Sequence, residues 1–158
     1  DEGVALRIIE SVVAVNDQRK RAMARRVIAA LHGDVRGKTI ALLGLTFKPN
    51  TDDMRDAPSL SLITALQDAG AHIRAYDPQG MEAAACLVSN VVFAASAYDC
   101  VDQADALVIV TEWDAFRALD LDRIRSALAH PIVIDLRNIY RPAEMRNKGF
   151  HYVSVGRP

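Results

Sequence analysis

Glycine is missing where one common chemistry would need it. The chain has 8 glycines in 158 residues, but Gly44 is followed by Leu45, Thr46 and Phe47 rather than by further glycines. A backbone that closes on a pyrophosphate needs those later glycines, so a dinucleotide loop of the usual kind is excluded here. Cysteine is scarce too. Cys86 and Cys100 lack CxxC spacing, and His32, His72, His130 and His151 are scattered, which argues against a metal site. Both cysteines read as reduced thiols of a cytoplasmic protein. A Cys/His pair assembled by the fold stays open, though no motif asks for one. No apolar run reaches membrane-spanning length, and no segment reads as a secretory leader. Nor does charge of one sign prevail. Lys and Arg number 19 against 20 Asp and Glu, a formal net charge of −1. No global field therefore recruits nucleic acid or an anionic membrane. The basic cluster Arg19-Lys20-Arg21 with Arg25-Arg26 reads as a solvated or interface face of a helix.

What is present suffices for a core. Hydrophobic residues make up 51% and charged residues 25%, a globular balance, and the length fits one domain with an attached helix. Val4 to Leu31 contains neither Pro nor Gly, and Leu6, Ile9, Val13, Met23, Val27 and Leu31 recur near helical spacing, broken at Asn16. Such a helix runs roughly 40 Å at 1.5 Å per residue. Its opening half, with Val4, Leu6, Ile8, Ile9, Val12, Val13 and Val15, is apolar on nearly every side. That predicts burial against a neighbour: an upstream domain, a partner subunit, or both. Asp1 in place of an initiator Met fits a chain cut from something larger. Two units are expected: residues 1–33 as the end of a long helix, and residues 34–158 as a domain.

From Gly37 onward short apolar runs alternate with helical stretches. Strands are expected at Thr39–Leu45, Ala71–Tyr76, Val91–Phe93, Ala106–Val110 and Ile132–Ile134, with an edge strand at Tyr152-Val153. Helices fall at Ser59–Asp68, Met81–Leu87, Ala97–Gln103, Trp113–Ala118, Asp122–Leu128 and Pro142–Asn147. Strands that read as continuous apolar runs between helices indicate a parallel sheet covered on both faces. Right-handed crossovers make it an α/β, Rossmann-like, doubly wound sheet of five to six strands behind one long helix.

In such a sheet ligands bind at the carboxyl ends of the strands around the switch point. Those ends carry Thr46-Phe47-Lys48, Thr111-Glu112-Trp113 and Asp135-Leu136-Arg137. Lys48 and Arg137 could meet phosphate oxygens, the first as a point charge and the second as a fork. Equally, Lys48 could be a solvated loop lysine, and Arg137 could pair with Asp135. Phe47 and Trp113 could stack on a base or sugar, or belong to the core. Arg55 lies among Asp52, Asp53 and Asp56, which suggests a local salt-bridge network. Asp56 is placed to cap the helix that begins at Pro58. Asp77 stands where a ribose would be gripped, but Asp77-Pro78 reads more simply as a turn.

The run Gly44-Leu45-Thr46-Phe47-Lys48-Pro49-Asn50-Thr51-Asp52-Asp53-Met54-Arg55-Asp56-Ala57-Pro58-Ser59 closely resembles a signature of the UDP-glucose/GDP-mannose dehydrogenase family, in the C-terminal domain of its UDP-glucose 6-dehydrogenases. Three further segments match in order: Ala75–Pro78, Val110–Phe116 and Ile134–Tyr140. The resemblance runs from Val15-Asn16-Asp17-Gln18 to the closing Ser154–Pro158. It implies a two-domain NAD-dependent enzyme that oxidises UDP-glucose twice, to UDP-glucuronate. A central helix would join the domains and build a homodimer or higher oligomer. By resemblance, Phe47, Lys48 and Arg137 contact the UDP-sugar, and Arg55 reaches toward the NAD. Leu136 stands where the family often has Gly. The Gly-rich NAD loop and the Gly-Gly-x-Cys segment with the nucleophile are not in this sequence, so these residues alone are expected to be inactive. Two alternatives stay open: the same family acting on GDP-mannose or a UDP-N-acetyl-hexosamine, or a non-catalytic nucleotide-binding or oligomerisation module.

Overall fold

A computed structural model describes residues 2–157; Asp1 and Pro158, the outer ends of the two expected units, lie outside the described residues. Helix α1 (Glu2–Ala30) runs unbroken through Asn16. It stops where His32 (φ 60°) and Gly33 (φ 87°) turn left-handed, and the Gly33 N–H donates to the Ile28 carbonyl at 2.9 Å. The chain then alternates as β1 (Thr39–Leu43), α2 (Pro58–Asp68), β2 (His72–Tyr76), α3 (Met81–Ala85) and β3 (Val91–Phe93). It continues through α4 (Ala97–Val101), β4 (Ala106–Ile109), α5 (Asp114–Arg117) and α6 (Leu121–Ala127) to β5 (Ile132–Asp135), α7 (Pro142–Asn147) and β6 (His151–Ser154).

The six strands form one sheet in the order β3-β2-β1-β4-β5-β6, with every neighbouring pair parallel. This is the doubly wound, Rossmann-like α/β architecture expected from the sequence, with its switch point between β1 and β4. Alternation along β1 divides the core. Ile40 and Leu42 join α1 and α2 through Val27, Leu31, Leu62 and Leu66 on one face. Ala41 and Leu43 join Cys100, Phe116, Ile124 and Tyr152 on the other. The crossovers from β4 to β6 lie on that second face, which leaves β4 and β5 uncovered on the first. The closing half of α1 covers them there, in one cluster with Val108, Ile134 and Leu136.

Among the described residues, the opening half of α1 buries no apolar side chain. Val4, Leu6, Ile8, Ile9, Val12, Val13 and Val15 are all exposed, so the neighbour expected for them is not among these residues. Strand β1 stops two residues short of the expected Leu45 because Gly44 (φ 95°) turns the backbone out of the extended region. Asp56 does not cap α2. The N-cap is Ala57, without a side-chain bond, and Asp56 is an exposed residue at φ 52°. Pro58 accounts for the shift, since it holds the residue before it extended and leaves Asp56 one step too far out.

Candidate functional site

The site grows from the turn after β1. The Gly44 N–H donates to the Tyr76 carbonyl at 2.9 Å. A Cβ at Gly44 would lie 2.5 Å from both the backbone nitrogen and the Cβ of Thr111. The glycine therefore serves the close approach of the β1 and β4 turns, and leaves no channel there for a pyrophosphate. Thr111 seals the contact by donating from Oγ1 to the Thr46 carbonyl at 2.8 Å.

Asp77, directly after β2, is fully buried. Its Oδ1 accepts the N–H groups of Gln79 (2.9 Å) and Gly80 (2.8 Å), the turn expected from Asp77-Pro78. Its Oδ2 accepts from Leu45 N (2.7 Å), Thr46 N (3.2 Å) and the indole Nε1 of Trp113 (3.2 Å), with the Thr46 hydroxyl at 3.3 Å. The carboxylate that could have gripped a ribose is thus committed to three segments of its own chain. Trp113 is buried and belongs to the core cluster. Sequence reasoning missed this pairing; its one signal was a donor-only indole and an acceptor-only carboxylate just after β4 and β2, the strands on either side of β1.

Beyond Thr46 the loop closes on itself. The Phe47 N–H donates to the Asp53 carbonyl at 2.9 Å, and the Thr46 hydroxyl lies 3.0 Å from the Lys48 carbonyl. Phe47 and Lys48 are therefore carried on a fixed loop with both side chains exposed. Phe47, 51% exposed, lines a groove of about 520 Å³ together with Val13, Asn16, Lys20 and Met23 of α1 and with Pro58. Of the two aromatic candidates, one is core and the other is free to stack.

Arg55 is 90% exposed and grips Asp53 with two bonds, Nε to Oδ1 at 3.0 Å and Nη2 to Oδ2 at 2.9 Å. These bonds hold the Asp53 carboxyl down at about 2, with the nearby Lys48 charge adding to the effect. The local salt-bridge reading is the observed one. Among the described residues the Arg55 side chain bonds only Asp53, and it is not drawn to Lys48 or Arg137.

Arg137 corrects an expectation. Its partner is Glu112, with Nε 2.5 Å from Oε2, and not Asp135. Asp135 is fully buried and accepts from the backbone N–H groups of Arg137 and Tyr140, both at 3.0 Å, and from the Tyr152 hydroxyl at 2.6 Å. A carboxylate at a strand's last residue folds back on its own turn, while the arginine side chain leaves toward the β4 turn. Partial burial pushes the Glu112 carboxyl up, but the hydrogen bond from Arg137, a backbone hydrogen bond and the charges of Arg137 and Arg117 together outweigh it, and the net shift is downward. Asn138 (φ 55°) exchanges two bonds with Val155, each 2.9 Å. Arg157 donates to the carbonyls of Tyr140 (3.0 Å) and Asn138 (3.2 Å). Asn138, Tyr152 and Arg157, none singled out from sequence, staple the Arg137 loop to β6 and the tail.

Three loops are therefore linked in a row by Thr111–Thr46 and Glu112–Arg137. One strand lies between the Lys48 and Arg137 loops, which puts their bases about 10 Å apart at the usual strand spacing of ~4.8 Å. Together they offer two cations and one exposed ring at the carboxyl edge of the sheet, a fit for a phosphorylated ligand with a planar group. The same residues do not fit an NAD cradle: Gly44 abuts Thr111, and Asp77 is fully bonded.

Comparison with known proteins places the fold in a family. Residues 41–142 match the model of the UDP-glucose/GDP-mannose dehydrogenase family, UDP binding domain. A UDP-glucose 6-dehydrogenase of Rhizobium meliloti is 56% identical over 158 residues, which is 100% of this chain and 36% of that protein. A UDP-glucose dehydrogenase structure from Pyrobaculum islandicum superposes with TM-score 0.73 at 28% identity, over 91% of this chain and 31% of that one. An NDP-N-acetyl-D-galactosaminuronic acid dehydrogenase from Methanosarcina mazei gives 0.77 at 29%, over 91% and 30%. The chain spans about a third of the length of these relatives.

Proposed function

This chain belongs to the UDP-glucose/GDP-mannose dehydrogenase family as a UDP-binding domain, and we propose that it holds the nucleotide-sugar for an NAD-dependent UDP-glucose 6-dehydrogenase. The observation that carries the reading is the placing of Lys48 and Arg137 on two braced loops, linked through the β4 turn, with Phe47 exposed beside them. Lys48 and Arg137 anchor the diphosphate, Phe47 offers a face for the base or sugar, and remote binding energy sets the sugar C6 in place. NAD, when bound by the full-length enzyme, supplies the hydride acceptor. This domain's share in holding it is confined to the exposed Arg55, and the residues carried here perform no redox step. Among the described residues no helix is long and apolar enough to cross a membrane. The exposed apolar half of α1 is assigned to a homodimer or higher assembly of a cytoplasmic enzyme, an assignment that a stable micromolar monomer of the full-length protein in sedimentation would contradict.

In the full-length protein, Lys48→Ala and Arg137→Ala are each expected to raise the UDP-sugar KM, or lower kcat/KM, by about tenfold or more, roughly 1.4 kcal/mol per decade. Unchanged kinetics in both variants would overturn the site. The glucose assignment rests on a 56% identical relative named for UDP-glucose. Rates on UDP-glucose, GDP-mannose and UDP-N-acetyl-hexosamines separate these substrates.

A further inference from the structure

A guanidinium presents five N–H donors on three nitrogens, and Glu112 engages one of them: Arg137 Nε lies 2.5 Å from its Oε2. Among the described residues neither Nη of Arg137 has a partner. An arginine left free would lose much of its rotamer freedom on binding an anion. Glu112 removes much of that cost because the backbone that carries it is held in place. Its chain neighbours Thr111 and Trp113 are both buried, the first bonded to the Thr46 carbonyl and the second to Asp77. We propose that Glu112 is a positioning residue: it holds Arg137 by the Nε edge and so leaves the Nη1/Nη2 edge aimed at the diphosphate of the nucleotide-sugar. This rests on the nucleotide-sugar reading given above. It assigns the acidic residue of the β4 turn a role opposite to the one its charge suggests, since a carboxylate beside a phosphate site would otherwise only repel the ligand. A single bond to Nε uses one donor and leaves the two-pronged edge intact, which a carboxylate on the Nη pair would not.

The test is made in the full-length protein, with UDP titrated by calorimetry and the nucleotide-sugar followed kinetically. Glu112→Ala is expected to weaken UDP binding and raise KM by about fivefold to tenfold, with kcat changed less than about twofold. Glu112→Gln keeps an acceptor for Nε and should stay within about threefold of the parent. Glu112→Asp withdraws the acceptor by one methylene without removing charge, and should weaken UDP binding by about threefold, so the test survives if the alanine variant fails to fold. Combined with Arg137→Ala, a change at Glu112 should add nothing further. If Arg137→Ala weakens UDP binding while Glu112→Ala and Glu112→Asp do not, the positioning role is overturned and the nucleotide-sugar site stands. If Glu112→Ala tightens UDP binding, Glu112 competes with the ligand and the proposal is likewise overturned. If Arg137→Ala itself has no effect on UDP, the nucleotide-sugar site fails at Arg137, and the positioning role fails with it.

Discussion

Asp77 and Asp135 are both fully buried carboxylates at strand ends, and among the described residues neither is paired with a cation. Each is held by N–H and O–H donors instead, and each fixes a loop that carries a candidate ligand residue. They differ in where the donors come from. Those on Asp77 come from three segments: the β1 turn, its own turn and Trp113. Those on Asp135 are two peptide groups of its own turn and the Tyr152 hydroxyl of β6. The Lys48 loop is thus braced from across the switch point, and the Arg137 loop by the last strand. A buried carboxylate needs bonds rather than a counter-ion, and the span of those bonds decides how much of the molecule one residue holds together.

The sharpest way to break this comparison is to remove each carboxylate. Asp77→Ala would leave four backbone N–H groups and the Trp113 indole without an acceptor. At about 1–3 kcal/mol for each buried donor, partly relieved by relaxation, the expected loss is about 4 kcal/mol or more. Asp135→Ala strands two N–H groups and one hydroxyl that can turn elsewhere, for about 2–3 kcal/mol. Urea unfolding of both variants at neutral pH checks the order. Equal losses would mean that the extra donors on Asp77 find water or other partners.

This contrast also marks what could be read in advance. The strands were legible because they are short apolar runs between helices, and a parallel sheet needs no finer code. The long helix was legible from the absence of Pro and Gly. The loops bearing Lys48 and Arg137 were legible as strand ends in a known architecture. Side-chain pairings across the sheet were not. Trp113 meets Asp77 from 36 residues away, and Glu112 meets Arg137 from 25. No local spacing encodes which acid faces which donor once strands are reordered. Local reasoning offered Asp135 as one possible partner for Arg137 because two residues separate them, and placed Asp56 where it could cap the helix it precedes. In both cases backbone geometry sent the side chain elsewhere. For Arg55 the local network suggested with Asp52, Asp53 and Asp56 narrows to Asp53, two residues away, because among the described residues nothing more distant competes for it.

A smaller change sharpens the comparison within the weaker site. Tyr152→Phe removes the 2.6 Å bond to Asp135 and the 3.2 Å bond to the Tyr140 carbonyl, and keeps the ring in its cluster. The expected cost at neutral pH is about 1–1.5 kcal/mol, more than a neutral pair because one acceptor is charged. The Lys48 loop should be untouched, so a Lys48-dependent step would keep its rate. A change there would couple the two loops more tightly than the bonds across β4 suggest.

Alkaline pH separates the two carboxylates by chemistry instead of by mutation. The partners of Asp77 are peptide and indole N–H groups and one threonine hydroxyl, none of which titrates in the range where proteins stay folded. Asp135 depends on a phenol. Burial, and the bond to the Asp135 carboxylate, push the Tyr152 hydroxyl above its ordinary value. A group raised in the folded state contributes stability that is whole below its unfolded value near 10 and is lost as pH rises through the folded one. Burial raises the Tyr140 hydroxyl and lifts the Cys100 thiol to about 12 in the same sense, so all three weaken the fold above about pH 9. Tyr152→Phe deletes one of the three contributions. The stability gap between parent and variant should therefore hold steady up to about pH 9.5 and narrow as pH rises beyond it, measured as urea midpoints at each pH. A constant gap would mean that the phenol ionises as readily in the folded chain as in the unfolded one, and that Asp135 is held by its two peptide groups alone.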